Sequence, residues 1–371
     1  MQRVPSSRRH ASGFSLTDLI VGLAIGLLAM LVILQVAVLF ESRRKATVSG
    51  ADAQLSGSHV LAAIGRDLRH AGYGLGPPEA LACSVKRHYV QTIPDLVLQP
   101  VTIIDGGGSA PDTLQILASA KTENSAPARL IAAHAADVDR LMVNSTLAIT
   151  VKDLLVLQEA GKPCTLLQAT AVPPSDYRVF HQGAASNWNP ADPASLLPAG
   201  GYGNDAAVIN LGALDWRSYS IDTGGQLLLS RYQSSDNSWQ SMTLAADIVN
   251  LQAEYGFDNR AGSQASPQIT TWHASMIDAD GNGVVGDNGD LRRLLAVRIA
   301  IVARSAQREI PDTGSCSAAV PRWLADADGG LSDTTIAVDH FADGSANPDW
   351  QCYRYRVFQT VVPMRNLLWN Q

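Results

Sequence analysis

Residues 278–290 read Asp-Ala-Asp-Gly-Asn-Gly-Val-Val-Gly-Asp-Asn-Gly-Asp, a dense cluster of oxygen-bearing side chains. Asp278, Asp280 and Asn282 stand at alternate positions and Gly283 follows at the sixth, the D-x-D-x-N-G spacing of calcium loops. Oxygens at alternate positions let a tight loop wrap a hard cation, and the glycine allows the sharp turn. Val284 would add a backbone carbonyl. The twelfth position, where a bidentate acid belongs, is Gly289, so Asp287 or Asp290 must substitute. Acids this close, with no cation beside them, repel unless they are solvated or bind metal. Asp, Asn and Gly are also ordinary turn residues. The cluster therefore reads first as a solvated hairpin loop and second as a Ca2+ site; no other cofactor is implied.

The cysteines are Cys83, Cys164, Cys316 and Cys352, too far apart for a C-x-x-C redox or zinc pair. Four cysteines allow three pairings. Cys83–Cys164 with Cys316–Cys352 is favoured because each closes the shorter loop, and buried free thiols are the alternative. Signatures of hydrolases, zinc proteases, P-loops and dinucleotide folds are missing, and the eight histidines are dispersed. The chain reads as a non-enzyme. Trp188, Trp239, Trp323 and Trp350 are candidates for partner contacts, with burial in a sheet core the expected place for most.

What positions these groups begins at the N-terminus. Residues 1–13 contain Arg3, Arg8, Arg9 and His10 and no acid. Residues 19–40 carry no charge over 22 positions, about 33 Å as a helix, enough for a bilayer core. The preceding arginines favour a cytoplasmic N-terminus. The rest of the chain then lies across the membrane in an oxidising compartment, which suits disulfides. An ordinary secretory signal has a shorter apolar core and a small-residue cleavage site after it. A plain anchor fits the length and leaves the residues before the run unexplained.

Those residues, Gly13-Phe14-Ser15-Leu16-Thr17-Asp18, resemble the type IV prepilin motif. The resemblance implies cleavage between Gly13 and Phe14 by a prepilin peptidase, N-methylation of Phe14, and retention of the apolar helix. Asp18 becomes the fifth mature residue. On a helix its charge is favoured near the N-terminus by about 0.3–1 kcal/mol. The resemblance further implies that it pairs with the cationic N-terminus of a neighbouring pilin during assembly. Most members of that family carry Glu there, and Asp is one methylene shorter.

Past the apolar run, Leu61, Ile64, Leu68 and Ala71 form a helical stripe expected to pack on the protein's own head. Gly72, Gly74 and Gly76 before Pro77-Pro78 stop the helix. One helix over about 15–72 is predicted, frayed near Ser49-Gly50 and Ser56-Gly57. Beyond it, short apolar runs alternate with Gly, Asp, Asn, Ser and Pro clusters. Residues 218–221 and 226–230 frame a hairpin, residues 294–303 read as a buried strand, and residues 353–362 as a C-terminal strand. Residues 182–205 read as a long surface loop, and residues 310–352 fit no element. The fold class is α+β: a leader at 1–13, a transmembrane and assembly helix at 14–75, and a large, mainly antiparallel β head at 76–371. The net charge of −6 offers no basic surplus for nucleic acid.

Several blocks in order along the chain resemble the PilW-type minor pilins of type IV pili. They are residues 66–74 (RDLRHAGYG), 105–117 (DGGGSAPDTLQIL), 248–258 (IVNLQAEYGFD), 296–305 (AVRIAIVARS) and 356–366 (RVFQTVVPMRN). The resemblance implies a minor pilin, held in the bacterial inner membrane with its head in the periplasm and then carried to the pilus tip. Its implied partners are other minor pilins, the major pilin, the prepilin peptidase and a tip adhesin. Two other readings share the N-terminal signal: a minor pseudopilin of type II secretion, and a calcium-responsive tip adhesin.

Overall fold

The computed structural model describes residues 15–89, 96–108, 110–122, 126–174, 176–262, 266–308, 315–323 and 335–368. The chain forms two units, Met1–Ala51 and Asp52–Gln371. α1 (Leu16–His70) provides the described part of the first and the opening turns of the second. It is unbroken at Gly50 and Gly57, where the sequence suggested fraying. A glycine costs a helix about 1 kcal/mol, too little to break one this long.

In the first unit the apolar side chains face outward. Leu16–Val38 is long and apolar enough to cross a membrane, and none of it is buried within the protein.

In the second unit the strands are β1 (Val85–Lys86), β2 (Val101–Ile104), β3 (Thr113–Ala118), β4 (Ala128–Arg129), β5 (Arg140–Met142), β6 (Leu154–Gln158), β7 (Cys164–Gln168) and β8 (Arg178–Phe180). They continue with β9 (Ala207–Gly212), β10 (Asp215–Ile221), β11 (Gln226–Gln233), β12 (Ser238–Ala246), β13 (Ile248–Phe257), β14 (Thr271–His273), β15 (Leu294–Arg304) and β16 (Tyr355–Pro363). The described residues also form two short α-helices, α2 (Asn288–Arg292) and α3 (Arg365–Leu368). The sheets are ordered β1-β7-β6-β9-β4, β12-β11-β10-β3-β2 and β14-β13-β15-β16, with a ribbon of β5 and β8. Among the described residues, pairing is antiparallel except between β1 and β7. The architecture is α+β, one long helix with a large β head.

The main core lies where α1 meets the second and third sheets. Ala53, Val60, Ile64, Leu68 and Ala71 of the helix join Leu114 of β3, Tyr219 of β10, Leu251 of β13 and Val297, Ile299 and Ile301 of β15. The buried stripe thus runs through Val60, while Leu61 sits at its margin. Gly57 has a packing role: a Cβ there would lie within van der Waals overlap of the Phe358 ring, so glycine lets that ring lie against the helix. Burial of Val60, Ile64 and Leu68 stabilises the docked helix by about 1.5–3 kcal/mol each.

β15 is buried along nearly its whole length because both faces are covered. Its second face, Ala300 and Val302, packs on Trp323, Ile336 and Val338, which places the described parts of the 310–352 region. Residues 182–205 are not a free surface loop. Trp188, Asn189, Leu197 and Tyr202 are buried, and Asn189 bonds both Gln168 N–H and C=O, at 2.7 and 2.8 Å. Their Pro- and Asn-rich composition reflects irregular backbone, whereas the buried aromatics decide where it goes. Trp188 and Trp323 are core residues, and Trp239 and Trp350 pack half-buried against cores.

Candidate functional site

Three separate features are candidates for function: the exposed apolar helix of the first unit and, in the second, the lock at the end of α1 and the acidic loop. Gly13 and Phe14 lie outside the described residues. Ser15 stands just before α1, its carbonyl accepting from Leu19 N–H at 3.2 Å and its hydroxyl from Thr17 N–H at 3.3 Å. Asp18 sits in the first turn, exposed, where the helix dipole favours a carboxylate.

At the far end of α1 the helix is fastened by polar groups that the apolar stripe does not announce. Asp67 is buried on the same face as Ile64 and Leu68. It accepts a hydrogen bond from Tyr219 Oη at 2.6 Å and pairs with Arg217 Nη1 at 2.7 Å. Arg217 also forks onto Asp215, both contacts 2.7 Å. Burial, then the bond to Asp67, pushes the Tyr219 hydroxyl pKa upward, so it remains a donor. The last carbonyls of a helix lack intrahelical partners. Here Asn366 Nδ2 donates to Ala71 O at 2.9 Å. Gly72, at φ +79°, ends the helix in the left-handed region, and its N–H donates to Leu117 O at 2.9 Å. Blocks 66–74 and 356–366 therefore meet. A sign of this was legible: an acid one position before Leu68 in an apolar stripe needs a partner.

In the acidic loop Asp278, Asp280 and Asp290 come together, with one oxygen of each within 4.8 Å of the others. Asp290 is fully buried. It accepts from Ala279, Asp280 and Gly286 N–H at 2.6, 3.2 and 2.7 Å. Asp278 accepts from Gly281, Asn282 and Gly283 N–H at 2.7, 3.0 and 2.8 Å. These bonds, the one from Gly283 first, lower the Asp278 pKa. Asp287 is drawn away to cap α2, accepting from Asp290 N–H at 3.1 Å. Asn282 donates to Asp280 and Asp287 at 3.1 and 2.7 Å, and its Oδ1 accepts from Val284 N–H at 2.7 Å. The Val284 side chain is exposed. Asp278 Oδ1 and Asp290 Oδ1 each accept two of these bonds, whereas Asp278 Oδ2 and Asp290 Oδ2 each accept one, so the Oδ2 atoms keep a lone pair that could serve a hard cation.

The disulfides join Cys83 to Cys164 and Cys316 to Cys352. The first ties the loop after α1 to β7. The second closes the covering of β15.

Two features have no counterpart in the sequence reading. Arg298 on β15 lies between the Trp272 and Trp323 rings, 4.9 and 4.8 Å from their centroids, and pairs with Glu254. His134 and His181 are buried edge to face with centroids 5.2 Å apart. Burial lowers both pKa values, that of His181 to about 4 with His134 as the second cause.

Residues 218–366 match the model of the family described as Type IV Pilus-assembly protein W. The match spans β11 to β16, most of β10 and the acidic loop, less than half of the 371 residues. No curated protein and no solved structure matches the chain.

Proposed function

We propose that the chain is a minor pilin that helps to initiate type IV pilus assembly and sits at or near the pilus tip. The observation that carries this reading is the match of residues 218–366 to the pilus-assembly family. Its support outside the matched region is physical. An exposed apolar span, Leu16–Val38, is intolerable in water yet suits a bilayer before assembly and a bundle of like helices after it. The hydrogen bonds from Tyr219 to Asp67 and from Asn366 to Ala71 fasten the end of the same helix to the matched region.

On this reading Gly13–Phe14 is the cleavage site, Phe14 the methylated N-terminus, and Asp18 the carboxylate that pairs with a neighbouring subunit's N-terminus. Such a pair in an apolar bundle fixes axial register, since an unpaired charge there is costly. The head lies in the periplasm, an oxidising place that suits both disulfides. The partners are other minor pilins, the major pilin and a tip adhesin. The family match favours a pilus over a secretion pseudopilus. Deletion of the gene should abolish or sharply reduce surface pili, with recovery on complementation. Normal pilus number with loss of secretion would move the protein to the pseudopilus.

A second reading, a calcium-responsive head at the tip, rests on the convergence of Asp278, Asp280 and Asp290. Asp278, Asp280 and Asp290 would hold the ion, with Asn282 and the Val284 carbonyl the further donors that the loop spacing offers. Bound calcium would cross-link the loop to the start of α2 and stiffen it.

A further inference from the structure

We propose that Lys121, Asp153 and Asn210 form a site of covalent modification, where an amide bond forms between Lys121 Nζ and Asn210 Cγ with loss of ammonia. The three residues come from distant parts of the head: Lys121 follows β3, Asp153 precedes β6, and Asn210 lies on β9. Main-chain contacts bring them together. Ala120 N–H donates to Leu211 O at 3.0 Å, and Ser119 Oγ donates to Asn210 O at 2.8 Å. β6 pairs with β9 next to Asp153, with Leu154 opposite Gly212. A Cβ on Gly212 would press on the Lys121 stem at 3.1 Å, so the glycine leaves room for the lysine.

One carboxylate oxygen gathers the reacting groups. Asp153 Oδ2 lies 3.0 Å from Lys121 Nζ and 3.1 Å from Asn210 Nδ2. Thr150 N–H donates to the same oxygen at 2.7 Å, and Thr150 Oγ1 donates to Oδ1 at 3.0 Å, which fixes the carboxylate. The carboxamide is fixed as well: Nδ2 donates to Ala148 O and Oδ1 accepts from Gly212 N–H, both at 2.9 Å. Water is largely shut out, since 16 % of the Lys121 side chain and 8 % of the Asp153 side chain are exposed. An ion pair needs only the amine and the acid, whereas here a carboxamide shares their oxygen. Three donors crowd an oxygen that has two lone pairs, and departure of Nδ2 relieves the crowding. In the reaction Lys121 gives a proton to Asp153, and the neutral amine attacks Asn210 Cγ. Gly212 N–H holds the oxyanion that develops on Oδ1. Asp153 passes its proton to Nδ2, the Cγ–Nδ2 bond breaks, and ammonia leaves. The new amide nitrogen sheds its extra proton through Asp153 to the ammonia. One ammonium ion is released for each secondary amide formed, with no oxidant and no cofactor. The bond forms once in the life of each molecule, so proximity and orientation suffice without fast turnover. The crosslink belongs to the head and stands whether or not the N-terminal helix is an assembly element.

The test is peptide mass spectrometry of the full chain, purified in detergent, reduced and digested with trypsin. A linked Lys121 resists trypsin, so residues 88–129 stay whole and are joined to residues 179–217. The expected product is that branched peptide, lighter than its two parts together by one ammonia, with fragmentation placing the bond at Lys121 and Asn210. Asp153→Asn, close in shape but unable to take the proton, should yield only linear peptides. Lys121→Arg, which keeps the ion pair and loses the nucleophile, should do the same and serves as the second variant should Asp153→Asn fail to fold. Linear peptides cut after Lys121 in the wild-type chain would overturn the proposal. So would a bond from Lys121 to Asp153 with loss of water, or an unchanged yield of the branched peptide in folded Asp153→Asn.

Discussion

Asp67→Ala removes the carboxylate that fastens α1 to β10. The Tyr219 hydroxyl loses its acceptor within the core, and a buried hydroxyl left unpaired costs about 1–3 kcal/mol. Breaking a fully buried ion pair costs about 3–5 kcal/mol. Arg217 is discounted from that range because 24 % of its side chain is exposed and its fork onto Asp215 remains. The expected loss is therefore about 2–4 kcal/mol. Asp67→Asn keeps an acceptor for Tyr219 and loses only the charge, so about 1–2 kcal/mol is expected. The assay is urea unfolding of the full chain in detergent, followed by tryptophan fluorescence. A double-mutant cycle with Tyr219→Phe should show coupling of at least about 0.5 kcal/mol. A loss below about 0.5 kcal/mol for Asp67→Ala would refute the view that this polar lock, rather than the apolar stripe alone, fastens the helix.

Three further predictions concern the head. His181 has a folded-state pKa of about 4, below an unfolded value of about 6.5. The unfolded chain therefore binds more protons between those values. Stability is complete above about pH 6.5 and is lost as pH falls toward 4, by at most about 3 kcal/mol. His134 acts in the same direction, while Asp137 and Asp139 nearby oppose it. Urea midpoints at pH 7.5 and 4.5 should converge in His181→Leu; an unaltered pH dependence would count against the pair. Replacing Cys316 and Cys352 together by Ser opens a loop with a sequence separation of 36 residues. That should destabilise the head by about 3–4 kcal/mol in the chain-entropy account, and an unchanged melting temperature would contradict it. If the acidic loop holds calcium, calorimetry of the full chain should show binding that Asp280→Ala removes. Equal stability with and without chelator, in both proteins, would return the cluster to a solvated loop.

Much of the fold is legible from periodicity. The helix and the final strand follow from spacing that repeats every 3.6 or 2 residues, the hairpin of β10 and β11 from the turn residues 222–225 between two runs, and the buried β15 from a continuous apolar run. The segments that cover other elements are not legible, because their burial depends on partners far away in sequence. Residues 182–205 look like loop by composition, yet Trp188 and Tyr202 drive them inward. The covering of β15 by Trp323, Ile336 and Val338 depends on a disulfide and a cation–π sandwich between residues far apart in sequence. At the candidate site, Asp278 and Asp280 lie close together. That Asp290 rather than Asp287 completes the cluster depends on which acid caps α2, a tertiary choice. Asp67 and Asn366 belong to blocks that the family resemblance singled out, and only the folded chain shows that those blocks touch.

The most direct test of the central claim is the mass of the mature chain recovered from its native membrane. A protein that begins at Phe14 and carries one methyl group on its amino nitrogen is predicted, with the apolar helix intact. A chain that still begins at Met1, or one cut after residue 40, would contradict it.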